Sequence, residues 1–270
     1  MYKLLPLLPF CITCTPMESP LAAPPATAAA PQQINTAFSA YVLGAISNMP
    51  QGGGYSGTPA TVNHLVGNVI AWNAASQQLN IRPNNARPSF CSGACYLVLL
   101  QALQQWEHHT QQPFSAQVWQ SFAISPDQAD GHGIWGRANA NGPGFAKLVT
   151  DLHAGINFTD YRQARAGDFL KIFWTPNIGA TERGHLVVYL GTEQIGGQAH
   201  IRYWSANKPG GYGVKTAPLS EIHHPIFTRI TRPQNFANTV KLPPADEDLA
   251  AMLSRNFTYA QILKMCKIPR

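Results

Sequence analysis

The chain has 270 residues, of which 45% are hydrophobic and 12% are charged. This length and apolar content allow one domain with a sizeable core, or at most two small domains. The formal net charge of +6 favours an anionic partner, such as a membrane surface or a bacterial wall polymer. Because the lysine and arginine residues form no basic block and no stripe with aromatic residues, no nucleic-acid partner is expected.

The start of the chain has the pattern of a targeting segment. Lys3 gives a positive start, an apolar run follows over residues 4–14, and small residues offer cleavage sites after Ala23 or near Ala30. The apolar run is too short to span a bilayer, so no stable membrane span is expected. We therefore expect residues 1–30 to be a signal peptide and the protein to be periplasmic or secreted. A disordered leader on a cytoplasmic protein is the alternative.

Sequence periodicity predicts helices first and strands afterwards. Apolar residues at three- and four-residue spacing predict helices over residues 34–49, 58–75, 92–108 and 145–153. Buried and alternating apolar runs predict strands over residues 167–174, 184–191, 199–207 and 225–232. Since Gly196 and Gly197 lie between the second and third strands, those strands are expected to form an antiparallel hairpin. Two short helices, over 245–255 and 258–267, end the chain. The order predicts an α+β fold.

The middle of the chain, residues 110–165, is polar and rich in glycine. Trp135 lies among these glycines, and an exposed tryptophan there could form a wall for a sugar or a peptide. We expect it instead to belong to a small core under a long loop. Asp168 is expected to be a strand-start or turn residue rather than a catalyst.

Cys91 lies where an irregular segment meets a predicted helix. The unpaired N–H groups and the dipole of a helix N-terminus stabilise a thiolate and lower the pKa of its thiol. Ser92 and Gly93 are small and leave the sulfur room to meet a substrate. These features are typical of a nucleophilic cysteine. An ordinary buried cysteine, a metal ligand and a disulfide remain alternatives.

Cysteine counting adds a second expectation. If the leader is removed, three cysteines remain, namely Cys91, Cys95 and Cys266. An odd count in an exported protein leaves at least one thiol unpaired. We expect Cys95 and Cys266 to form a disulfide and Cys91 to stay free.

A cysteine hydrolase also needs an imidazole to move the proton and a polar group to orient that imidazole. His185 precedes the apolar run of a predicted strand, which places it at a strand end near solvent. Ser205 and Asn207 are two residues apart on the next strand, so they share one face and could supply the orienting group. A structural histidine is the alternative interpretation of His185.

Four segments in order resemble the motifs of NlpC-type and CHAP-type cell-wall peptidases and amidases. They are FCSGACYLVLLQAL at 90–103, ARAGDFLKIFW at 164–174, GHLVVYLG at 184–191 and YWSAN at 203–207. The resemblance covers about residues 85–210. It departs from the usual motifs where Phe90 replaces an aspartate and Ala166 replaces a proline.

The resemblance implies a papain-like fold, with helices of the N-terminal part packed on an antiparallel sheet. It assigns Cys91 as the nucleophile, His185 as the base and Asn207 as the orienting residue. Ser205 occupies the position that CHAP-type enzymes often give to glutamate. The catalytic domain would extend over residues 31–235, followed by a helical tail over 236–270.

The implied activity is cleavage of an amide bond in bacterial peptidoglycan peptides, by an endopeptidase or an amidase that needs no cofactor. Such an enzyme remodels its producer's own wall, or acts as an interbacterial toxin with an immunity protein as partner. Two alternatives stay open. One is a non-catalytic papain-like binding module, and the other is a cysteine protease or acyltransferase on a protein or lipid substrate.

Overall fold

The computed structural model describes residues 37–125 and 128–269. The expected leader, residues 1–30, lies outside the described residues. The helices are α1 (Phe38–Ser47), α2 (Pro59–Asn68), α3 (Cys91–Thr110), α4 (Ala116–Ser121), α5 (Gly133–Asn139), α6 (Gly144–Asp151), α7 (Glu247–Ala251) and α8 (Tyr259–Met265). The strands are β1 (Gly52–Gly53), β2 (Ile70–Asn73), β3 (Gln78–Ile81), β4 (Gly155–Phe158), β5 (Phe169–Phe173), β6 (Ile178–Gly179), β7 (Gly184–Ile195), β8 (Gln198–Asn207), β9 (Gly211–Pro218), β10 (His224–Ile230) and β11 (Asn256–Phe257). Within the described ranges, no helix is both long and apolar enough to cross a membrane.

A seven-stranded sheet is formed mainly by the second half of the chain, with β1 added from the first half. Its strand order is β1-β9-β8-β7-β5-β10-β4, and every neighbouring pair is antiparallel. The predicted hairpin is confirmed, because β7 and β8 pair with each other across a two-residue turn of Gly196 and Gly197. Both glycines have positive φ, as such a tight turn requires. Helices combined with this antiparallel sheet confirm the predicted α+β class.

Helix α3 lies at the centre of the core. Residues 93–100 are buried without interruption, so the helix is covered on all sides rather than along one stripe. It packs against α1, α5, β7 and β8. Its first residue is Cys91, preceded by the extended residue Phe90. The helix therefore begins close to the sheet.

The helix predicted over residues 58–75 forms only in its first part, and the prediction for its C-terminal half was wrong. Thr58 and Pro59 begin α2 as expected, with the Thr58 hydroxyl accepting from the Thr61 N–H. The regular helix breaks at Val66 and Gly67, where Gly67 takes a φ of +74° that glycine adopts at little cost. The following apolar and aromatic residues form the β2–β3 hairpin instead of more helix.

The predicted disulfide was also wrong. Cys95 and Cys266 are free thiols, and they lie in different hydrophobic clusters. Burial raises the pKa of the Cys95 thiol, and it raises the pKa of Cys266 to about 12. Both cysteines are therefore unreactive core residues, which a count of cysteines could not reveal.

Trp135 is 2% exposed and belongs to the main core. Its ring packs edge-on against Tyr96, with 5.1 Å between the ring centroids, and against Phe90 at 6.1 Å. The expectation that this tryptophan is a core residue is confirmed, but the expectation of a separate small core under a loop was wrong, because Trp135 lies in α5 and packs into the main core. It holds α5 against the first turns of α3.

Asp168 precedes β5 and ties it to β10. Its carboxylate is fully buried and accepts from Arg229, at 2.8 Å from Nε and 2.6 Å from Nη2. It also accepts from the backbone N–H of Arg165 at 2.8 Å. These contacts explain Asp168 as a structural residue, because each carboxylate oxygen is held by the protein itself.

The variant Asp168→Ala is expected to lower the free energy of unfolding by about 3–5 kcal/mol, because Arg229 then keeps a largely buried charge without its partner. Urea denaturation followed by circular dichroism measures the loss. The control Asp160→Asn weakens an exposed pair with Arg162 and is expected to unfold at the wild-type urea concentration. Equal midpoints for the Asp168 variant and the wild type would contradict the proposed role.

Candidate active site

Cys91 is held in place by an unusual glycine segment. Gly52, Gly53 and Gly54 all have positive φ, between +67° and +88°, which glycine alone adopts readily. This conformation brings the next residues alongside the approach to α3. The N–H of Ser56 donates to the carbonyl of Ser89 at 2.9 Å, and the N–H of Ser89 donates to the carbonyl of Gly54 at 3.3 Å. The chain thus enters α3 along a fixed path.

The Cys91 thiol is activated by its surroundings. Burial acts to raise its pKa, but a hydrogen bond and the positive charge of His185 act in the opposite direction. A backbone hydrogen bond with Leu186 and the charge of Lys171 add to this effect. Together they lower the pKa of the thiol from 9.0 to about 6. Since the thiolate is the reactive form, a thiol with a pKa of about 6 is suited to act as a nucleophile at neutral pH.

The ring of His185 is fixed by Asn207, whose Oδ1 lies 3.0 Å from its Nε2. The orientation of this amide follows from its other contacts. The Nδ2 group of Asn207 donates to the carbonyls of Ser205 at 3.0 Å and Gly213 at 2.8 Å, so Oδ1 must face the histidine. Nε2 therefore carries a proton, and Nδ1 is the ring nitrogen left to exchange a proton with Cys91.

Ser205 takes a different part from the one that the motif comparison suggested. Its side chain is fully buried, and its hydroxyl donates to the carbonyl of Leu186 at 2.8 Å. The thiol of Cys95 donates to the same carbonyl at 3.3 Å. The structure therefore brings Cys91, His185 and Asn207 together, whereas Ser205 holds the backbone beside His185. The catalytic roles of all four remain predictions.

Tyr55 is a site residue that sequence reasoning missed. Burial, the nearby Cys91 thiolate and hydrogen bonding to its side chain raise the pKa of the Tyr55 phenol, while the backbone of Cys91 acts to lower it. Backbone pairing with Ser89 and a hydrogen bond from its N–H to the carbonyl of Pro209 at 3.2 Å hold it there. Lys208 lies over its ring, with Nζ 5.3 Å from the centroid. The three preceding glycines were its only signal in the sequence.

A polar cavity of about 240 Å³ opens beside Cys91, and we call it the polar pocket. Its polar lining consists of Cys91, Ser92, Asp130, Asn139, Asn141, Lys171 and Glu182. Lys171 Nζ lies 2.6 Å from Glu182 Oε1, and the other oxygen of Glu182 accepts from the N–H groups of Gly142 at 2.5 Å and Gly179 at 3.0 Å. Lys171 was detectable in the sequence as a lone charge within a buried strand.

Comparisons with known proteins gave no match for this chain. No protein-family model matches it, and neither a curated protein nor a solved structure matches it significantly. In the part of the chain that the structure describes, no three residues of His, Cys, Asp or Glu are grouped to hold a metal ion. The geometry around Cys91 is therefore the main support for a function.

The rate of Cys91 alkylation by iodoacetamide is expected to rise with pH through a midpoint near pH 6, because the thiolate reacts and the pKa of the thiol is about 6. In His185→Ala the hydrogen bond and the charge are lost while burial remains. The midpoint should then move upward, towards or above the ordinary thiol value of 9.0. The rate of Cys91→Ser is subtracted to remove slow reaction at the buried cysteines. An unchanged midpoint in His185→Ala would rule out the pairing.

Proposed function

We propose that the protein is a cysteine hydrolase of papain-like fold that cleaves an amide bond in bacterial peptidoglycan peptides. One observation carries the proposal: a thiol with its pKa lowered to about 6 lies beside an imidazole whose other nitrogen is held by an amide oxygen at 3.0 Å. A thiolate, a proton carrier and an orienting group are the parts that covalent acyl transfer requires. A merely structural cysteine has no need of them.

The first half of the reaction forms an acyl-enzyme. The Cys91 thiolate attacks the amide carbonyl, forming a carbon–sulfur bond and a negatively charged oxygen. In this scheme the N–H of Cys91 at the helix N-terminus and the hydroxyl of Tyr55 would donate to that oxygen, in place of the interaction that they have with each other. Nδ1 of His185 then gives its proton to the amine, and the carbon–nitrogen bond breaks.

The second half releases the product. Water attacks the thioester while Nδ1 of His185 accepts its proton. The carbon–sulfur bond breaks, the carboxylic acid leaves and the thiolate–imidazolium pair is restored. Asn207 keeps the ring in one orientation through both halves, because its own amide is fixed by two backbone carbonyls. No cofactor takes part in this scheme.

Three observations support the fold family and the substrate class. A nucleophile at the start of a core helix, with the base and the orienting residue on neighbouring antiparallel strands, is the arrangement that a papain-like fold would give. The four ordered motifs resemble cell-wall peptidases and amidases. The net charge of +6 suits an anionic wall.

The proposed setting is the periplasm or the exterior of the cell, where the polymer is found. There the enzyme either remodels its producer's wall or acts on a competitor as a toxin. In the second case an immunity protein is the expected partner, and it would have to close access to Cys91.

Incubation of the full chain with muropeptides is expected to give products that differ from the substrate by one added water per cleaved amide. Mass spectrometry of the products also identifies the bond. Cys91→Ala should give none, because the attacking atom is absent. If the wild type is equally inert while Cys91 still reacts with iodoacetamide, peptidoglycan is not the substrate and a protease or acyltransferase becomes the better proposal. An unreactive Cys91 would favour a non-catalytic binding module.

Asn207 and Ser205 are expected to differ sharply when each is replaced by alanine. Asn207→Ala frees the His185 ring, and a misplaced catalytic group lowers kcat/KM by about 10²-fold. Ser205→Ala keeps the ring contact, and Leu186 still accepts from Cys95, so kcat/KM should stay close to the wild-type value. Initial rates on muropeptides measure both variants. Equal losses would show that the two residues act together and not in the separate roles assigned above.

A further inference from the structure

We propose that the polar pocket is a specificity subsite for an ammonium group on the substrate, and that Asp130 is the carboxylate that recognises it. The inference rests on the proposed function in one respect, since it takes Cys91 as the point of attack. The ligand class is an amine-bearing residue of a peptide, such as lysine, adjacent to the scissile amide. The argument comes from the size of the pocket and from its unequal charges.

The pocket has the dimensions of a subsite for a single residue. Its volume of about 240 Å³ is below the range of roughly 300–1,000 Å³ that is usual for sites enclosing a whole drug-sized ligand. Cys91 and Ser92 form one part of its wall, so a group bound in the pocket lies next to the bond that Cys91 attacks.

Besides the Cys91 thiolate, which is stabilised by His185, three charged side chains line the pocket, and two of them form an ion pair. Lys171 and Glu182 are 13% and 5% exposed and lie 2.6 Å apart. The second carboxylate oxygen of Glu182 is occupied by two backbone N–H groups. This pair is therefore committed to the protein and offers no net charge to a ligand.

Asp130 supplies the charge that remains. Its Oδ1 accepts from Nδ2 of Asn139 at 2.9 Å, and Oδ1 of Asn139 accepts from the hydroxyl of Ser92 at 2.7 Å. This chain of hydrogen bonds fixes the carboxylate relative to the residue next to Cys91. Among the described residues no lysine, arginine or histidine forms an ion pair with Asp130. Burial raises the pKa of its carboxyl, although hydrogen bonds from Asn139 and from the backbone of Asn141 and the charge of Lys171 act to lower it.

An ammonium group would correct this imbalance. It would add a charge-assisted hydrogen bond to a carboxylate that is already desolvated. A neutral side chain in the pocket would bury the carboxylate further without a partner, and an acidic one would be repelled. The pocket thus selects by charge against neutral and acidic residues of similar size.

The test uses two methanethiosulfonate reagents of similar size, one carrying an ethylammonium group and the other an ethylsulfonate group. The Cys91 thiolate attacks the sulfenyl sulfur, a disulfide forms and methanesulfinate leaves with the electron pair of the broken sulfur–sulfur bond. No other reactant is needed. The overall positive charge of the protein favours the anionic reagent, whereas any thiolate favours the cationic one, so only a preference larger than that of free cysteine comes from the pocket.

In the wild type, the cationic reagent is expected to modify Cys91 about tenfold faster than the anionic one. A tenfold ratio corresponds to only part of the interaction energy of two neighbouring unit charges in a partly buried site. Asp130→Asn has nearly the same shape and should lose most of that preference. Glu193→Gln makes the same change in net charge on an exposed part of β7 and should keep it. Equal preferences in Asp130→Asn and the wild type would overturn the proposal.

Added salt gives a second measurement on the wild type, which keeps the proposal open to refutation if Asp130→Asn fails to fold. A preference due to charge falls as the salt concentration rises, whereas a preference due to shape does not. A salt-independent preference would therefore also overturn the proposal.

The reagents report on the pocket without any peptidoglycan, so the two proposals can fail separately. A charge preference without muropeptide cleavage would support the subsite and reject the substrate. Where cleavage occurs, acetylation of the substrate amine should slow the wild type and leave Asp130→Asn nearly unaffected. Equal slowing of both would reject the role of Asp130 in substrate selection.

Discussion

The fold depends on the attachment of one helix end to one strand. The carbonyl of Leu186 in β7 accepts from the thiol of Cys95 in α3 and from the hydroxyl of Ser205 in β8. A single peptide unit therefore joins a helix and two strands. Because His185 is the adjacent residue, these two hydrogen bonds hold its backbone against the helix that carries Cys91.

The charges around the site form two neighbouring groups, and Lys171 takes part in both. The thiolate of Cys91 is stabilised by His185, and the ion pair of Lys171 and Glu182 lies against the same cavity. Lys171 acts in both groups, since its charge also favours the thiolate. In a partly desolvated site such charges interact strongly, so the burial of each group is tolerated only because its neighbours are fixed. The pKa of the cysteine thus depends on residues of β5 and β7 as well as on its own helix.

The sequence predicted the parts of the site that lie on regular, strongly patterned elements. Cys91 at a helix start and His185 and Asn207 on paired strands follow from periodicity and from a short glycine turn. Local pattern could not predict Tyr55 or Asp130, because loops distant in sequence carry them to Cys91. The expected disulfide was wrong for a related reason. Counting cysteines says nothing of position, and Cys95 and Cys266 lie in separate clusters.

Gly184 lies immediately before His185, and its lack of a side chain serves the packing at this point as well as the start of β7. A Cβ atom built there would lie 2.6 Å from Oε1 of Glu182 and 2.8 Å from Nζ of Lys171. Its φ is not in the left-handed region, so the demand for glycine is one of space and not of backbone freedom. The residue before His185 is thus constrained by the ion pair that lies beside it. The hydrogen atom of the glycine leaves room for the ion pair of Lys171 and Glu182, which occupies the space that a side chain at position 184 would take.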